Sequence, residues 1–330
     1  MLVESVPNVS EGRRLDVVDR MADAISSVPG VALLDRTSDA SHNRSVFTIA
    51  GEHGPVTAAL ERLVETAVHE IDMDHHEGEH PRIGAVDVIP FIPLGDTKMD
   101  ACIELARDFG ERIAARFELP VYLYARAATR PEREKLADVR RGQYEGLRAE
   151  IGQRGREPDF GPPRLHPSAG AVAVGARPFL IAYNINLDSP DKELAIRIAR
   201  RIRESGGGLP RVQANGFFID ELDRAQVSMN LLDFRTTPLW RVWETVRAEA
   251  AEDDVELAES ELIGLAPLAA FLDVADHTEA PRDAPIEVRL AAAASFLKLR
   301  DYSPLQALEL RLDAARSGTS GSGGPEAVPR

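Results

Sequence analysis

The stretch His76-Glu77-Gly78-Glu79-His80-Pro81-Arg82 reads either as a helix or as a loop, and the two readings lead to different folds. As a helix it is H-E-x-x-H, in which residues four apart share a face and two imidazoles grip one zinc ion. Gly78 is a poor helix former at its centre. Pro81 biases His80 away from the α region. No third ligand stands out downstream. The stretch is therefore expected to be a loop carrying one chemically active histidine, His80, stiffened by Pro81 and flanked by Glu79 and Arg82. No metal is expected.

On either side of that loop the apolar pattern gives a helix over 56–71 and a strand over 86–94, whose Pro90 and Pro93 suggest a bulge or a sheet edge. Upstream, a strand over 2–6 leads to a helix over 13–26 capped by Ser10, then strands over 31–34 and 45–50. The order is β-α-β-β-α-β. A helix over 100–117, a strand over 121–124 and two short helices extend it. Residues 154–168 are rich in Gly and Pro and read as a loop or linker. The pattern then repeats: a strand over 179–187, a helix opened by Ser189-Pro190, strands over 211–219 and 226–232, a helix over 239–248 and a strand over 255–263. The fold class expected is α/β (α+β), two ferredoxin-like βαββαβ sandwiches, each with helices on one sheet face and a ligand cleft between them. Helices over 286–298 and 305–316 follow, and the Gly/Ser/Pro-rich tail over 317–330 is expected to be disordered.

Composition narrows the function. The 330 residues carry 39 basic and 54 acidic side chains, a formal charge of -15. That balance disfavours nucleic acid as a partner, while a local arginine cluster still suits a small anion. Cys102 is the single cysteine, which excludes intrachain disulfides and multi-cysteine zinc sites. No signal peptide or membrane span is apparent, so a cytoplasmic protein is expected.

His80 is the candidate acid–base group, since imidazole titrates near neutrality. His75 and His76 read as solvated bystanders. Arg82, Arg44 and Arg177 are candidate carboxylate binders through bidentate pairing. Glu79 and Asp87 could orient His80. Asn184 and Asn186 share one face of a strand and suggest hydrogen bonds to a ligand. The loop from Asp159 to Gly170 can approach a flat ligand closely.

Five segments carry a resemblance: Val6-Pro7-Asn8-Val9-Ser10-Glu11-Gly12, Gly78 through Asp87, Asp159-Phe160-Gly161-Pro162, Ala182 through Leu187, and Asn230-Leu231-Leu232-Asp233. Together, in order and over about residues 1 to 275, they resemble glutamate formimidoyltransferase, the formiminotransferase domain of formiminotransferase-cyclodeaminase. The resemblance implies formimino transfer from N-formimino-L-glutamate to the co-substrate tetrahydrofolate, with folate held between two α/β subdomains. It implies subdomains over 1–175 and 176–275, with the C-terminal helices over 276–316 outside them. It puts the catalytic histidine at His80 and the folate loop at Gly161, Pro162, Pro163, Arg164, Leu165, His166, Pro167, Ser168, Ala169 and Gly170. A homodimer and a separate cyclodeaminase partner are also implied. Two positions depart from the pattern. Asp35 is followed by Arg36 and Thr37 where some relatives carry an acid, so either Asp39 substitutes for it or that supporting charge is absent. Ala169 stands where some relatives have a bulky residue. The alternatives are formyl transfer from N-formylglutamate and a non-catalytic folate-binding protein.

Overall fold

The computed structural model describes residues 1–318. They form two compact units, Met1–Arg177 and Pro178–Ser317. The tail beyond residue 318 lies outside the described residues.

The first unit runs β1 (Leu2–Ser5), β2 (Asn8–Val9), α1 (Leu15–Ser26), β3 (Val31–Asp39), β4 (Arg44–Glu52), α2 (His53–Glu70), β5 (Val86–Pro93), α3 (Met99–Phe117), β6 (Val121–Ala125), α4 (Leu136–Val139), α5 (Gln143–Glu150) and β7 (Val172–Ala176). β1 and β2 lie in line between β4 and β5, antiparallel to both. β3 hairpins onto the outer side of β4. This is the strand order of the split βαβ sandwich. Beyond β5 the sheet continues with two parallel strands, β7 and then β6, making seven in all.

Helical spacing explains why α1 packs: Val17, Val18, Met21, Ala22 and Ile25 fall on one stripe and are buried. The helix starts two residues later than predicted, and Ser10 does not cap it. Ser10 Oγ instead donates to Gly84 O at 2.7 Å, tying the N-terminal segment to the loop before β5. A main core joins α1, α2 and α3 to one sheet face. A smaller one, with Val88, Tyr122, Tyr124, Val139 and Leu147, covers the opposite face at the parallel end. The expectation of helices on one face only therefore fails here, because strands with parallel neighbours are apolar on both sides.

Two further expectations are refined. β5 is an interior strand and not an edge, while the alternative of a bulge agrees with the register shift between Asn8 and Val9 opposite it. Its pairing stops at Ser5↔Phe91 and resumes at Asn8↔Val88, so Pro90 falls opposite the break at Val6-Pro7, where its missing N–H leaves no ladder bond unmade. β7 was missed, since Val172-Ala-Val-Gly-Ala is short and beside the Gly/Pro-rich run. Its presence places residues 154–168 inside the first unit, as a loop rather than a linker.

The second unit runs β8 (Ile181–Leu187), α6 (Lys192–Ile202), β9 (Val212–Ile219), β10 (Arg224–Leu231), α7 (Leu239–Ala251), β11 (Leu257–Ile263), α8 (Leu268–His277), α9 (Ile286–Phe296) and α10 (Leu308–Arg316). Its four strands are antiparallel in the order β11-β8-β10-β9, the ferredoxin-like order. Alternation along β8 sends Tyr183 and Ile185 into the core with Leu194 and Ile198 of α6. α6 is capped by Asp191, whose Oδ1 accepts from Glu193 N and Leu194 N, and not by Ser189. No helix among the described residues is long and apolar enough to cross a membrane.

Candidate functional site

Three segments of the first unit converge around His80: residues 8–12, the turn 40–43 between β3 and β4, and the loop 72–85 between α2 and β5. Asn43 joins all three. It adopts a left-handed backbone, φ 47°, which asparagine tolerates better than most residues. Its Oδ1 accepts from Gly12 N at 2.9 Å and its Nδ2 donates to Glu77 O at 2.9 Å. The segments approach too closely for side chains at two glycines. A Cβ on Gly12 would lie 2.3 Å from Asp39 O, and one on Gly78 would lie 2.4 Å from His42 O. Gly78 is therefore required by contact with the hairpin. The loop is not helical, as Pro81 implied.

His80 is half-buried, and Arg44 Nη1 lies 2.8 Å from its Nε2. A guanidinium can only donate, so Nε2 is the acceptor and the resting ring carries its hydrogen on Nδ1. Burial and the positive charges of Arg44, Arg140, His42 and Arg82 lower His80 from the ordinary 6.5 to about 3. Arg44 is itself lowered, by burial first and then by Arg140, and its buried Nε has no partner. Beside this pair stands His42, its ring centroid 6.4 Å from that of His80 at an interplanar angle of 70°. Asp39 holds His42 twice, accepting from the backbone N with Oδ1 at 2.8 Å and meeting ring Nδ1 with Oδ2 at 2.8 Å.

Other expected site residues have different surroundings. Arg82 is nearly buried and already engaged. It pairs with Glu145 at 2.6 Å, donates to Gln143 Oε1 at 3.1 Å and donates from Nε to His76 Nδ1 at 3.2 Å. It ties the loop to α5 and is not free to take a carboxylate. His76 is no solvated bystander: its Nε2 lies 3.0 Å from Asn43 O, so both ring nitrogens are bonded. Asp87 is buried and holds the loop's exit, accepting from Ile83 N at 2.9 Å and pairing with Arg140. It therefore acts on the loop's backbone and not on His80 directly. Glu79 is exposed, with its backbone N donating to Ser41 O at 3.4 Å.

The loop from Gly161 to Gly170 packs against the His80 loop. Met73 N donates to Ser168 O at 2.8 Å, Ala85 N to Ala169 O at 2.8 Å, and Ala171 N to Ile83 O at 3.0 Å. Gly170 needs its left-handed φ of 71° to turn back on His166. His166 Nδ1 accepts from Ala169 N at 3.1 Å, which puts its hydrogen on Nε2. Arg164, exposed, pairs with Glu118, and a hollow of about 300 Å³ opens beside Arg164, Leu165, His166 and Pro167. Asp159 anchors the start of the loop through Leu123 N at 2.8 Å and the buried guanidinium of Arg133.

Arg177 lies at the end of β7, hydrogen-bonded to the Tyr124 hydroxyl. Asn184 and Asn186 belong to the second unit. Their amides donate to Glu261 Oε1 at 2.9 Å and Glu259 Oε1 at 3.1 Å, and Gln226 donates to Asn186 Oδ1 at 2.9 Å. They form a satisfied network across β10, β8 and β11 and are not unpaired amides awaiting a ligand. Sequence reasoning missed His42, Asn43 and Arg140. The signal for His42 was Asp39-x-x-His42 in a polar turn, the spacing at which a side chain reaches back over one turn.

Comparison with known proteins bears on both units. Residues 2–177 match the family described as "Formiminotransferase domain, N-terminal subdomain", and residues 182–300 match "Formiminotransferase domain". The glutamate formimidoyltransferase of Thermoplasma acidophilum is 49% identical over 278 residues, 84% of this chain and 91% of that protein. That of Streptococcus pyogenes serotype M1 is 45% identical over 276 residues, 84% and 92%. The formimidoyltransferase-cyclodeaminase of Rattus norvegicus is 47% identical over 280 residues, 83% of this chain and 52% of that longer protein.

Proposed function

The chain belongs to the formiminotransferase domain family, and from that premise we propose that it transfers the formimino group of N-formimino-L-glutamate to tetrahydrofolate, giving 5-formimidoyltetrahydrofolate and L-glutamate. His80 serves as the base. Its bond to Arg44 is the single observation that carries this role. A base must be neutral before it acts, and His80 is kept neutral by its burial first and then by the guanidinium at its lone pair.

Arg44 is the carboxylate-binding group nearest the reacting centre. A donor carboxylate competes for it better than a neutral imidazole does, since it brings an opposite charge and two oxygens that match the guanidinium fork. As Arg44 turns to the donor, Nε2 of His80 is released. The N5 lone pair of folate then adds to the amidine carbon, and His80 Nε2 takes the N5 proton. The C–N bond to glutamate breaks with its electron pair on the glutamate nitrogen, which leaves protonated. Binding of the donor thus exposes the base only when there is something to deprotonate.

The loop over 161–170 is the proposed folate contact. Its support is the backbone ladder that joins it to the His80 loop, which fixes one against the other. The test is turnover of His80→Gln with both substrates. We expect at least a hundredfold loss of kcat, in the range of about 10²–10⁴ for a lost acid–base group, with folate affinity kept. N-formylglutamate as donor checks the formyl alternative in the same assay.

A further inference from the structure

Formimino transfer needs two proton movements, one off N5 and one onto the departing glutamate nitrogen. His80 is well placed for the first and poorly for the second. Even with Arg44 turned to the donor, burial and the positive charges of Arg140 and Arg82 remain around it. A ring so surrounded gives up a proton to solvent quickly and does not hold one in reserve. We propose that His42, held by Asp39, is the acid that protonates the leaving glutamate nitrogen. The proposal rests on the transferase reading given above and adds a second catalytic group to it.

Four observations carry it. First, the rings of His42 and His80 stand edge to face with centroids 6.4 Å apart, so one substrate centre can lie within reach of both. Second, Asp39 fixes the ring. A carboxylate only accepts, so the hydrogen at the 2.8 Å contact sits on Nδ1 and Nε2 is the atom left to exchange a proton. Asp39 stays ionised: partial burial opposes its charge, but the bonds from His42 outweigh that, and its carboxyl lies below the ordinary range. Third, the His42 side chain is 46% exposed, so solvent can restore its proton between turnovers. Fourth, the turn is rigidly joined to the His80 loop through Asn43 Nδ2 to Glu77 O at 2.9 Å and through Gly78 against His42 O. The two rings thus sit side by side with different partners: a guanidinium meets the Nε2 of His80, while a carboxylate holds the Nδ1 of His42 and leaves its Nε2 to the substrate.

The step balances. N5 bonds to the amidine carbon while the C=N π pair moves to the formimino nitrogen, and the N5 proton passes to His80 Nε2. The imidazolium of His42 gives its Nε2 proton to the glutamate nitrogen as the C–N bond breaks toward it. The formimino nitrogen's lone pair then restores C=N. His80 loses a proton to solvent and His42 gains one, so no net proton is consumed.

A leaving group that needs no proton separates this role from a structural one. In the thioformimidate of 2-mercaptoglutarate, sulfur replaces the glutamate nitrogen and departs as a thiolate. His42→Gln is expected to slow the natural donor by about 10²–10³ while leaving the thioformimidate within about threefold of wild type. Asp39→Asn is expected to show the same selectivity with a smaller loss. Independently, imidazole in the buffer is expected to restore at least tenfold turnover of the natural donor to His42→Gly. Equal slowing of both donors without rescue, or no slowing at all, overturns the assignment. If the wild type transfers nothing from formiminoglutamate, the transferase reading itself fails, and the His42 variants play no part in that result.

Discussion

Replacing Arg44 by methionine tests the electrostatics of the site most sharply. His80 is held at about 3 against 6.5 for an unperturbed imidazole. At about 1.36 kcal/mol per pKa unit, that gap sets an upper bound of about 5 kcal/mol against the protonated ring, reduced by solvent screening because the ring is only half-buried. Burial is the largest cause and Arg44 the next. Methionine keeps most of the apolar stem and removes the charge. Loss of one like charge at hydrogen-bond range raises a pKa by about 1–3, so His80 in Arg44→Met should titrate between about 4 and 6, still below 6.5 because burial remains. The assay is an NMR titration of ¹⁵N-histidine-labelled protein, with the His80 signal identified by its loss in His80→Gln. The same spectra report the tautomer, expected as Nδ1–H in the wild type. A wild-type His80 that titrates near 6.5, or one that Arg44→Met leaves unmoved, refutes the reasoning.

Other outcomes follow from the same geometry. The folded-state pKa of His80 lies below its unfolded value, so the unfolded chain binds more protons between those values and stability falls as pH falls through that window. Between pH 7 and 5 the wild type should lose more stability than His80→Gln, by at most about 2 kcal/mol and by less to the extent that solvent screens the half-buried ring, as read by urea unfolding at both pH values. Asp159→Ala leaves the buried Arg133 guanidinium unpaired and should cost the first unit about 3–5 kcal/mol in the same measurement. Gly84→Ala puts a Cβ 2.0 Å from Ala171 O, where the His80 loop meets the end of the 161–170 loop, and should abolish soluble expression or turnover. Dialysis against a chelator should leave turnover unchanged, because both ring nitrogens of His76 are already bonded within the protein.

The fold was largely legible because its signals are local. Val17, Val18, Met21, Ala22 and Ile25 repeat at the helical period, and Tyr183 and Ile185 alternate on a strand, so each element can be found without its neighbours. Pro81 alone was enough to reject the helical reading of the His80 loop. What was missed depends on partners distant in sequence. Pro90 reads as an edge residue until the break at Val6-Pro7 is seen opposite it. Ser10 reads as a cap, yet its hydroxyl goes to Gly84, 74 residues away. In the site, side-chain chemistry singled out His80 and Arg44, and the structure places them in hydrogen-bond contact. Arg82, Asn184 and Asn186 read as waiting donors and His76 as solvated, because sequence cannot show their pairing with Glu145, Glu261, Glu259 and Asn43. His42 went unnoticed because an exposed histidine in a turn gains meaning only beside a second ring.

The central claim is formimino transfer with His80 as the base. Its most direct test is formation of 5-formimidoyltetrahydrofolate from tetrahydrofolate and N-formimino-L-glutamate by wild type and His80→Gln, alongside folate binding by both. The account predicts turnover by the wild type, at least a hundredfold slower turnover by the variant, and equal folate affinity. No product from the wild type, or a variant that keeps most of the wild-type rate, would contradict it.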